Sequence, residues 1–232
     1  MNDFALFGIW YIVFLFSTVA HEAAHGLAAH LGGDPTAYQG GQVTLDPTGH
    51  IKRSPVGMVV MPILTFVQMG WMMGWASVPF DPSWGKQHPR RQAVMSLAGP
   101  GANFALALIG IIAIKVLLGA GVFVLSDSYS FTAIVREAGE PQPGSLLTGL
   151  ATALSVLVNL NLLLGLFNLL PIPPLDGAGV VEGLFPRTLG KLYDQMRELP
   201  LLQFVGLLVA WNVFPWVSAP AMRWVIGWMY AG

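Results

Sequence analysis

Long apolar stretches separated by short polar segments dominate the chain. Four of these stretches have the length of about 17–25 residues that a helix needs to cross a hydrocarbon core of about 30 Å. They cover residues 4 to about 30, about 92 to 118, 145–170 and 200–217. The pattern predicts an all-α polytopic membrane protein with about four to five transmembrane helices. The whole chain, residues 1–232, is predicted to form a single membrane-embedded domain.

The polar segments between these stretches are short. Residues 34–54 are rich in turn formers, and strand-forming residues flank Gly40 and Gly41. This arrangement predicts a short membrane-associated β-hairpin over residues 36–45. Residues 119–145 are predicted to form a polar loop that is too short to fold as a separate domain.

Composition supports the membrane assignment and narrows the choice of partners. Only 10% of the residues are charged and 54% are hydrophobic, whereas soluble domains carry about 25% charged residues. The expected partner is the lipid bilayer, and a net charge of −1 gives no reason to expect nucleic acid. The chain has no cysteine, which excludes thiolate metal sites.

The first apolar stretch contains the pattern H-E-x-x-H, formed by His21, Glu22 and His25. On a helix, residues four apart share one face with Cβ atoms about 5–6 Å apart, so both imidazoles can reach one metal ion at about 2.0–2.1 Å. Glu22 then lies beside the metal, where it can take a proton from water. Two interfacial histidines near a helix end are the alternative, but ionisable residues inside a membrane span are costly and usually functional.

A catalytic zinc site also needs a third protein ligand. Five aspartates lie in polar termini or loops, where solvation accounts for them: Asp3, Asp34, Asp46, Asp81 and Asp127. Asp176 is different because it follows an apolar stretch and the proline-rich run 171–174, and precedes Gly177. Prolines end the helix there, and unwound backbone at membrane depth is tolerated only where it is buried or lines a cavity. Taken alone, this run is equally compatible with an interfacial turn. With H-E-x-x-H in the same chain, we favour Asp176 as the third ligand.

Three separated blocks of the sequence resemble the site-2 protease family of intramembrane zinc metalloproteases, in its compact branch without PDZ or CBS domains. The blocks are HEAAH at residues 21–25, AGPGAN at residues 98–103, and NLLP at residues 168–171 continuing to LDG at residues 175–177. The resemblance implies one catalytic zinc ion bound by His21, His25 and Asp176, with Glu22 activating water. It also implies that Asn168 and Asn103 position the substrate backbone or the developing oxyanion. A hydrogen bond to a neighbouring helix is the alternative for Asn103.

The resemblance implies hydrolysis of a peptide bond in or near a transmembrane helix of a substrate protein or peptide. The predicted hairpin over residues 36–45 could add an extended substrate as a further strand. A zinc transporter is a second possibility, but it leaves Glu22 without a role. A catalytically inactive relative is a third, although all four key residues are intact. The remaining histidines are expected to be solvated or interfacial rather than ligands: His30, His50 and His88.

The predicted ligands constrain the topology because they must meet at one depth. His21 and His25 lie near the end of the first apolar stretch, and Asp176 follows the end of residues 145–170, so these two helices must run in the same direction. A single crossing by residues 56–78 would place their ends on opposite sides of the membrane. We therefore expect residues 56–78 to be re-entrant. Three helix-disrupting residues are compatible with that: Pro62, Gly70 and Gly74.

This topology collects eight of the eleven basic residues on one side of the membrane. The positive-inside rule makes that side cytoplasmic. We therefore expect the N-terminus outside and an active site that opens to the cytoplasm. The lack of a eukaryotic targeting signal favours a prokaryotic plasma (inner) membrane as the location.

Overall fold

A computed structural model describes residues 2–139 and 144–230. It contains four helices that are long and apolar enough to cross a membrane. They are α1 (Asp3–Leu31), α6 (Pro89–Gly119), α7 (Leu146–Asn168) and α10 (Pro200–Tyr230). Shorter elements connect them: α2 (Thr36–Gln39), α3 (Pro47–Arg53), a π-helix (Val56–Val60), α4 (Met61–Met69), α5 (Pro82–Gln87), β1 (Phe123–Ser130), β2 (Ala133–Glu137), α8 (Asp176–Leu184) and α9 (Pro186–Glu198). The predicted all-α polytopic membrane protein is confirmed.

Three of the long helices form the centre of the bundle. α6 packs against both α1 and α7, while α10 packs mainly against α7 and α9 and leaves most of its surface exposed. The helix α10 is continuous through residue 230, so residues 218–230 extend the span predicted at 200–217 rather than making another crossing. We call the end of the bundle where α1 ends and α6 begins the site end, and the opposite end the hairpin end.

Residues 56–80 enter the bundle and return to the site end. The π-helix and α4 lead inward, and Gly70, with φ at 76°, turns the chain back. The N–H of Trp75 then donates to the carbonyl of Gly57 at 3.2 Å, beside the start of the inward segment. A Cβ on Gly57 or Gly74 would overlap the backbone of the other arm, so this close approach requires glycine at both positions. The predicted re-entrant segment is confirmed.

The predicted position of the β-hairpin is wrong. Residues 36–39 form the short helix α2, and the hairpin consists of β1 and β2, inside the segment predicted to be a polar loop. Residues 140–143 of that segment lie outside the described residues. Polar side chains of α7 hold the hairpin: Ser155 accepts from the N–H of Ile134 at 3.0 Å, and the amide of Asn159 donates to the carbonyl of Phe131 at 2.8 Å. The pattern misled because Thr36 lies in this single helical turn, and Val43 and Thr44 follow it in bends that belong to no strand among the described residues.

Buried polar groups also tie the loops together at the site end. Asp34, only 2% exposed, accepts from the N–H groups of Thr36 at 3.0 Å and Asp81 at 2.7 Å. Burial alone would raise the pKa of Asp34, but a hydrogen bond from the hydroxyl of Thr36, together with those from the two N–H groups, outweighs it and holds the pKa below its ordinary value. The expectation that solvation accounts for Asp34 is therefore wrong. The expectation of a solvated His50 is also wrong, because its side chain is fully buried and contacts the carbonyl of Thr44.

The re-entrant topology predicts that both polar segments flanking residues 56–80 face the same side of the membrane. The chain lacks cysteine, so single cysteines at exposed positions report sidedness cleanly. Lys52→Cys and Gln87→Cys should react with a membrane-impermeant maleimide from one side of oriented vesicles. Asp3→Cys and Ser128→Cys, at the hairpin end, should react only from the other side. Labelling of positions 52 and 87 from opposite sides would contradict the topology.

Candidate metal centre

Three side chains converge at the site end where α1, α6 and α8 meet. The Nε2 atoms of His21 and His25 lie 3.0 Å apart. The carboxylate of Asp176 faces both rings, with Oδ2 3.1 Å from Nε2 of His21 and Oδ1 3.2 Å from Nε2 of His25. Both histidines are buried, and the ligand-type atoms of the three residues lie within 4.8 Å of one another. The structure thus brings together the three residues predicted to bind zinc.

The break between α7 and α8 delivers Asp176 to this place. α7 ends at Asn168, and the proline-rich run leads to Asp176 as the first residue of α8. A Cβ on Gly177 would overlap the carbonyl group of Leu169, so α8 can fold back against the end of α7 only with glycine there. The hydroxyl of Tyr193 in α9 donates to the carbonyl of Pro171 at 2.9 Å and anchors the proline-rich turn.

The helix α6 contacts both histidines at Nδ1, the ring nitrogen that does not face the other ligand atoms. Nδ1 of His25 lies 2.7 Å from the carbonyl oxygen of Met95, and Nδ1 of His21 lies 2.6 Å from Oδ1 of Asn103. A carbonyl only accepts, so Nδ1 of His25 carries the proton and donates. Asn103 is fully buried and contacts a histidine ring, as in the alternative of a hydrogen bond between helices. The contribution of Met95 comes from its backbone, which no side-chain motif reveals.

Sequence reasoning also missed Asn161 of α7. This fully buried amide accepts from Nδ2 of Asn103 at 2.8 Å and donates to the hydroxyl of Ser17 at 2.8 Å. A signal was available, because an amide inside a membrane span is costly unless a neighbour satisfies it. A polar network therefore continues from the metal-ligand cluster into α7.

Two further predicted site residues are Glu22 and Asn168. Glu22 follows His21 on α1, is 7% exposed, and makes no hydrogen bond within residues 2–139 and 144–230. Asn168 is the last residue of α7, and its amide donates to the carbonyl of Leu164 at 3.0 Å. The predicted role of Glu22 in activating water and that of Asn168 in positioning substrate both stay predictions.

Comparisons with known proteins agree with this geometry. The sequence model of peptidase family M50 matches residues 9–211. A relative from Bacillus subtilis, named "Putative zinc metalloprotease YwhC", is 31% identical over 199 residues, which cover 85% of this chain and 78% of the relative. A relative from Mycobacterium tuberculosis, named "Putative zinc metalloprotease Rip2", is 29% identical over 202 residues, or 87% of this chain and 67% of the relative. The chain spans 54% of the corresponding Rip2 protein of Mycolicibacterium smegmatis, at 29% identity over 72% of this chain.

No solved structure matches the chain. The family match covers most of the sequence, including all the residues of the cluster. The resemblance seen in the three sequence blocks is therefore confirmed, and the chain belongs to peptidase family M50, the site-2 protease family.

Proposed function

We propose that this protein is a zinc-dependent intramembrane endopeptidase that hydrolyses peptide bonds in or near transmembrane segments of substrate proteins. The observation that carries the proposal is the convergence of His21, His25 and Asp176, together with Glu22, which follows His21 on α1 and makes no hydrogen bond to the described residues. These are the ligand set and the base that a metalloprotease requires. Family membership supports the protease class.

The unshared electron pairs of His21, His25 and Asp176 face one another, and this arrangement supports the proposal that the cluster binds a cation. Because Nδ1 of each histidine faces an acceptor, the neutral rings present unprotonated Nε2 atoms to each other at 3.0 Å. Oδ2 of Asp176 lies 3.1 Å from Nε2 of His21, yet it has no hydrogen-bond partner among the described residues. Three acceptors buried face to face repel one another unless a positive charge lies between them. A metal ion supplies that charge.

The spacing of the donors and the room beside them fit zinc. Ligands about 2.0–2.1 Å from a tetrahedral ion are about 3.3 Å apart, close to the 3.0–3.2 Å separations seen here. Gly99 of α6 borders the cluster, and a Cβ at that position would lie 2.6 Å from Nε2 of His21 and overlap the ring of His25. The absence of a side chain at Gly99 therefore preserves the space in which the ligands meet. Nitrogen and oxygen donors of this kind suit zinc.

Each residue has a distinct part in the proposed hydrolysis. When bound, zinc supplies a Lewis acid that polarises the scissile carbonyl and makes water acidic enough to lose a proton near neutral pH. Glu22 accepts that proton and then delivers it to the leaving amine nitrogen. Asn168, the last residue of α7, donates to the substrate carbonyl in this proposal. Asn103, by contrast, orients His21, because its own donors and acceptor are directed into the protein.

The returning arm of the re-entrant segment offers a place to hold an extended substrate. Gly74 packs against Phe14, which is seven residues before His21 and therefore on the same face of α1, and the N–H of Asp81 reaches Asp34 at the site end. The arm thus passes the depth of the metal cluster. Its residues 76–80 lie outside any helix or strand and make no backbone hydrogen bonds to other described residues. Their carbonyls, and the N–H groups of all but Pro79, are therefore free to pair with a substrate strand.

Charge supports a cytoplasmic opening. Eight of the eleven basic residues belong to elements at the site end: Lys52, Arg53, Lys86, Arg90, Arg91, Arg187, Lys191 and Arg197. Contacts join these elements, including Arg91 to the carbonyl of Gly32 at 3.0 Å and Lys86 to Asp194 at 3.2 Å. The positive-inside rule places this end in the cytoplasm. We further propose a prokaryotic plasma membrane, because the relatives described above are bacterial.

The proposed metal site predicts a specific effect of a single methyl group. Gly99→Ala should lower zinc affinity on the order of 100-fold or more, because the added Cβ displaces the two imidazoles. Gly101→Ala is the matched control, since a Cβ there has nothing within 4 Å and alanine favours the helix. Zinc content and affinity of the purified proteins measure the effect, and size-exclusion profiles check the fold. Equal zinc affinity in both variants would contradict the site.

The proposed base predicts that binding and catalysis can be separated. Glu22→Gln should retain about one zinc per chain and lose at least about 10³-fold in cleavage of a membrane-embedded model substrate. Gln92→Glu is not a suitable control, because Gln92 is buried on α6 and its amide donates to Glu182. The exposed Gln87→Glu is the matched control and should cleave at the wild-type rate. Full activity of zinc-loaded Glu22→Gln would refute the assignment of Glu22.

The proposed substrate path predicts a cross-link. A cysteine in place of the exposed Ser77 should form a disulfide with a cysteine placed near the scissile bond of a substrate bound to the Glu22→Gln protein. Leu108→Cys, on the exposed surface of α6, should not form one. The products are read as a shifted band on a non-reducing gel. Equal yields at positions 77 and 108 would argue against strand pairing along the returning arm.

A further inference from the structure

A chain of buried hydrogen bonds connects the backbone of α7 to the imidazole of His21. Asn161 donates to the carbonyl of Leu157 at 2.9 Å and accepts from Nδ2 of Asn103 at 2.8 Å. Asn103 in turn places its Oδ1 2.6 Å from Nδ1 of His21. Both asparagine side chains are fully buried, so water does not offer them substitute partners.

The direction of every hydrogen bond in this chain follows from its first member. A backbone carbonyl only accepts, so the group of Asn161 that faces Leu157 must be its NH₂. The oxygen of Asn161 then faces Asn103, which must present its own NH₂ there. This leaves the oxygen of Asn103 toward His21, whose Nδ1 must carry the proton. In the neutral ring, Nε2 is therefore free of a proton and able to bind a metal.

From this polarity we propose that Asn161 is a positioning residue: it fixes the orientation of the Asn103 amide and thereby keeps His21 in the tautomer that can bind zinc through Nε2. The inference rests on the proposed function in taking His21 as a zinc ligand. His25 needs no such intermediary, because the carbonyl of Met95 contacts its Nδ1 directly. The two histidines thus reach the same tautomer by different routes, one of which depends on α7.

Loss of Asn161 removes the nearer of the two acceptors that determine how Asn103 is turned, and leaves only the carbonyl of Ser17, 3.5 Å from Nδ2 of Asn103. The Asn103 amide can then rotate by 180° and present its NH₂ to His21. That arrangement favours the tautomer with a proton on Nε2, which has no electron pair for the metal. Outer-shell partners of metal-binding histidines typically change metal affinity by about 10–100-fold. Asn161→Leu should reduce zinc affinity by an amount in this range.

Ser17 is a second hydrogen-bond partner of Asn161, and its removal gives an internal control. Its hydroxyl also accepts from Nδ2 of Asn161, at 2.8 Å. A hydroxyl can donate or accept, so Ser17 does not determine the direction of the chain, whereas the Leu157 carbonyl does. Ser17→Ala should therefore change zinc affinity by less than the roughly 10-fold that marks the loss of an outer-shell partner.

The chain offers a matched control two residues away. Asn159 is equally buried on α7, but its amide donates to the carbonyl of Phe131 at 2.8 Å and its oxygen accepts from Tyr129 at 3.0 Å, both in the hairpin region. Asn159→Leu removes a buried amide from the same helix but leaves intact the hydrogen bonds that connect Asn161 and Asn103 to His21. Asn159→Leu and Asn161→Leu should both lower the melting temperature, but only Asn159→Leu should keep the wild-type zinc affinity.

The experiment measures zinc affinity by competition with a chromophoric chelator for full-length wild type, Asn161→Leu, Asn159→Leu, Ser17→Ala and His21→Gln in lipid nanodiscs. The visible spectrum of bound Co²⁺ reports whether an imidazole has left the coordination sphere. We expect a loss of about 10–100-fold and an altered spectrum for Asn161→Leu alone among the three outer variants. Asn161→Ser, too short to reach Asn103, replaces Asn161→Leu if the latter does not fold.

The outcomes separate this inference from the proposed function. Equal zinc affinity of wild type and His21→Gln would reject the ligand set, and this inference with it. Loss of affinity in His21→Gln together with wild-type affinity in Asn161→Leu would reject the inference alone. Equal losses in Asn161→Leu and Asn159→Leu would also reject it, because the effect would then be one of general stability. So would failure of both position-161 variants to fold while Asn159→Leu folds.

Discussion

The rest of this structure depends on one constraint, the close approach of three electron-pair donors. These are Nε2 of His21, Nε2 of His25 and the carboxylate of Asp176, which face one another about 3 Å apart in a largely buried site. Such an arrangement needs a positive charge among the donors, and we propose that a metal ion supplies it. It also requires that α1 and the α7–α8 break reach the same depth from the same direction. The re-entrant segment satisfies that requirement, since it changes neither the side nor the direction of the helices that follow. The proline-rich turn satisfies the rest by releasing Asp176 from the axis of α7.

The helix α6 gives the cluster its rigidity. It contributes no proposed ligand, yet its backbone carbonyl at Met95 and its amide at Asn103 hold the two histidines, and Gly99 leaves them room. At the hairpin, Ser155 and Asn159 are likewise anchored on a backbone N–H group and a backbone carbonyl. Since backbone positions move little in a packed bundle, the imidazoles are oriented before a metal arrives. Preorganisation of this kind reduces the cost of binding.

Much of this architecture could be predicted from the sequence, because long apolar stretches and the H-E-x-x-H spacing are local signals. The re-entrant segment followed from a global requirement, that His21 and Asp176 meet, and not from its own residues. The hairpin could not be located in the same way. Its strands are held by Ser155 and Asn159, which lie far along the chain, whereas Gly40 and Gly41 follow a single helical turn that imitates a hairpin signal. The supporting contacts of the metal cluster were also out of reach, because a backbone carbonyl such as that of Met95 carries no mark in the sequence.

The central claim is that His21, His25 and Asp176 hold one zinc ion. X-ray absorption at the zinc edge of the purified, lipid-reconstituted protein tests it most directly, combined with metal content. We expect about one zinc per chain, with directly bound nitrogen and oxygen ligands at about 2.0–2.2 Å and the multiple scattering of two imidazoles. A protein that takes up no zinc when fully folded, or a zinc shell without imidazole scattering, would contradict it.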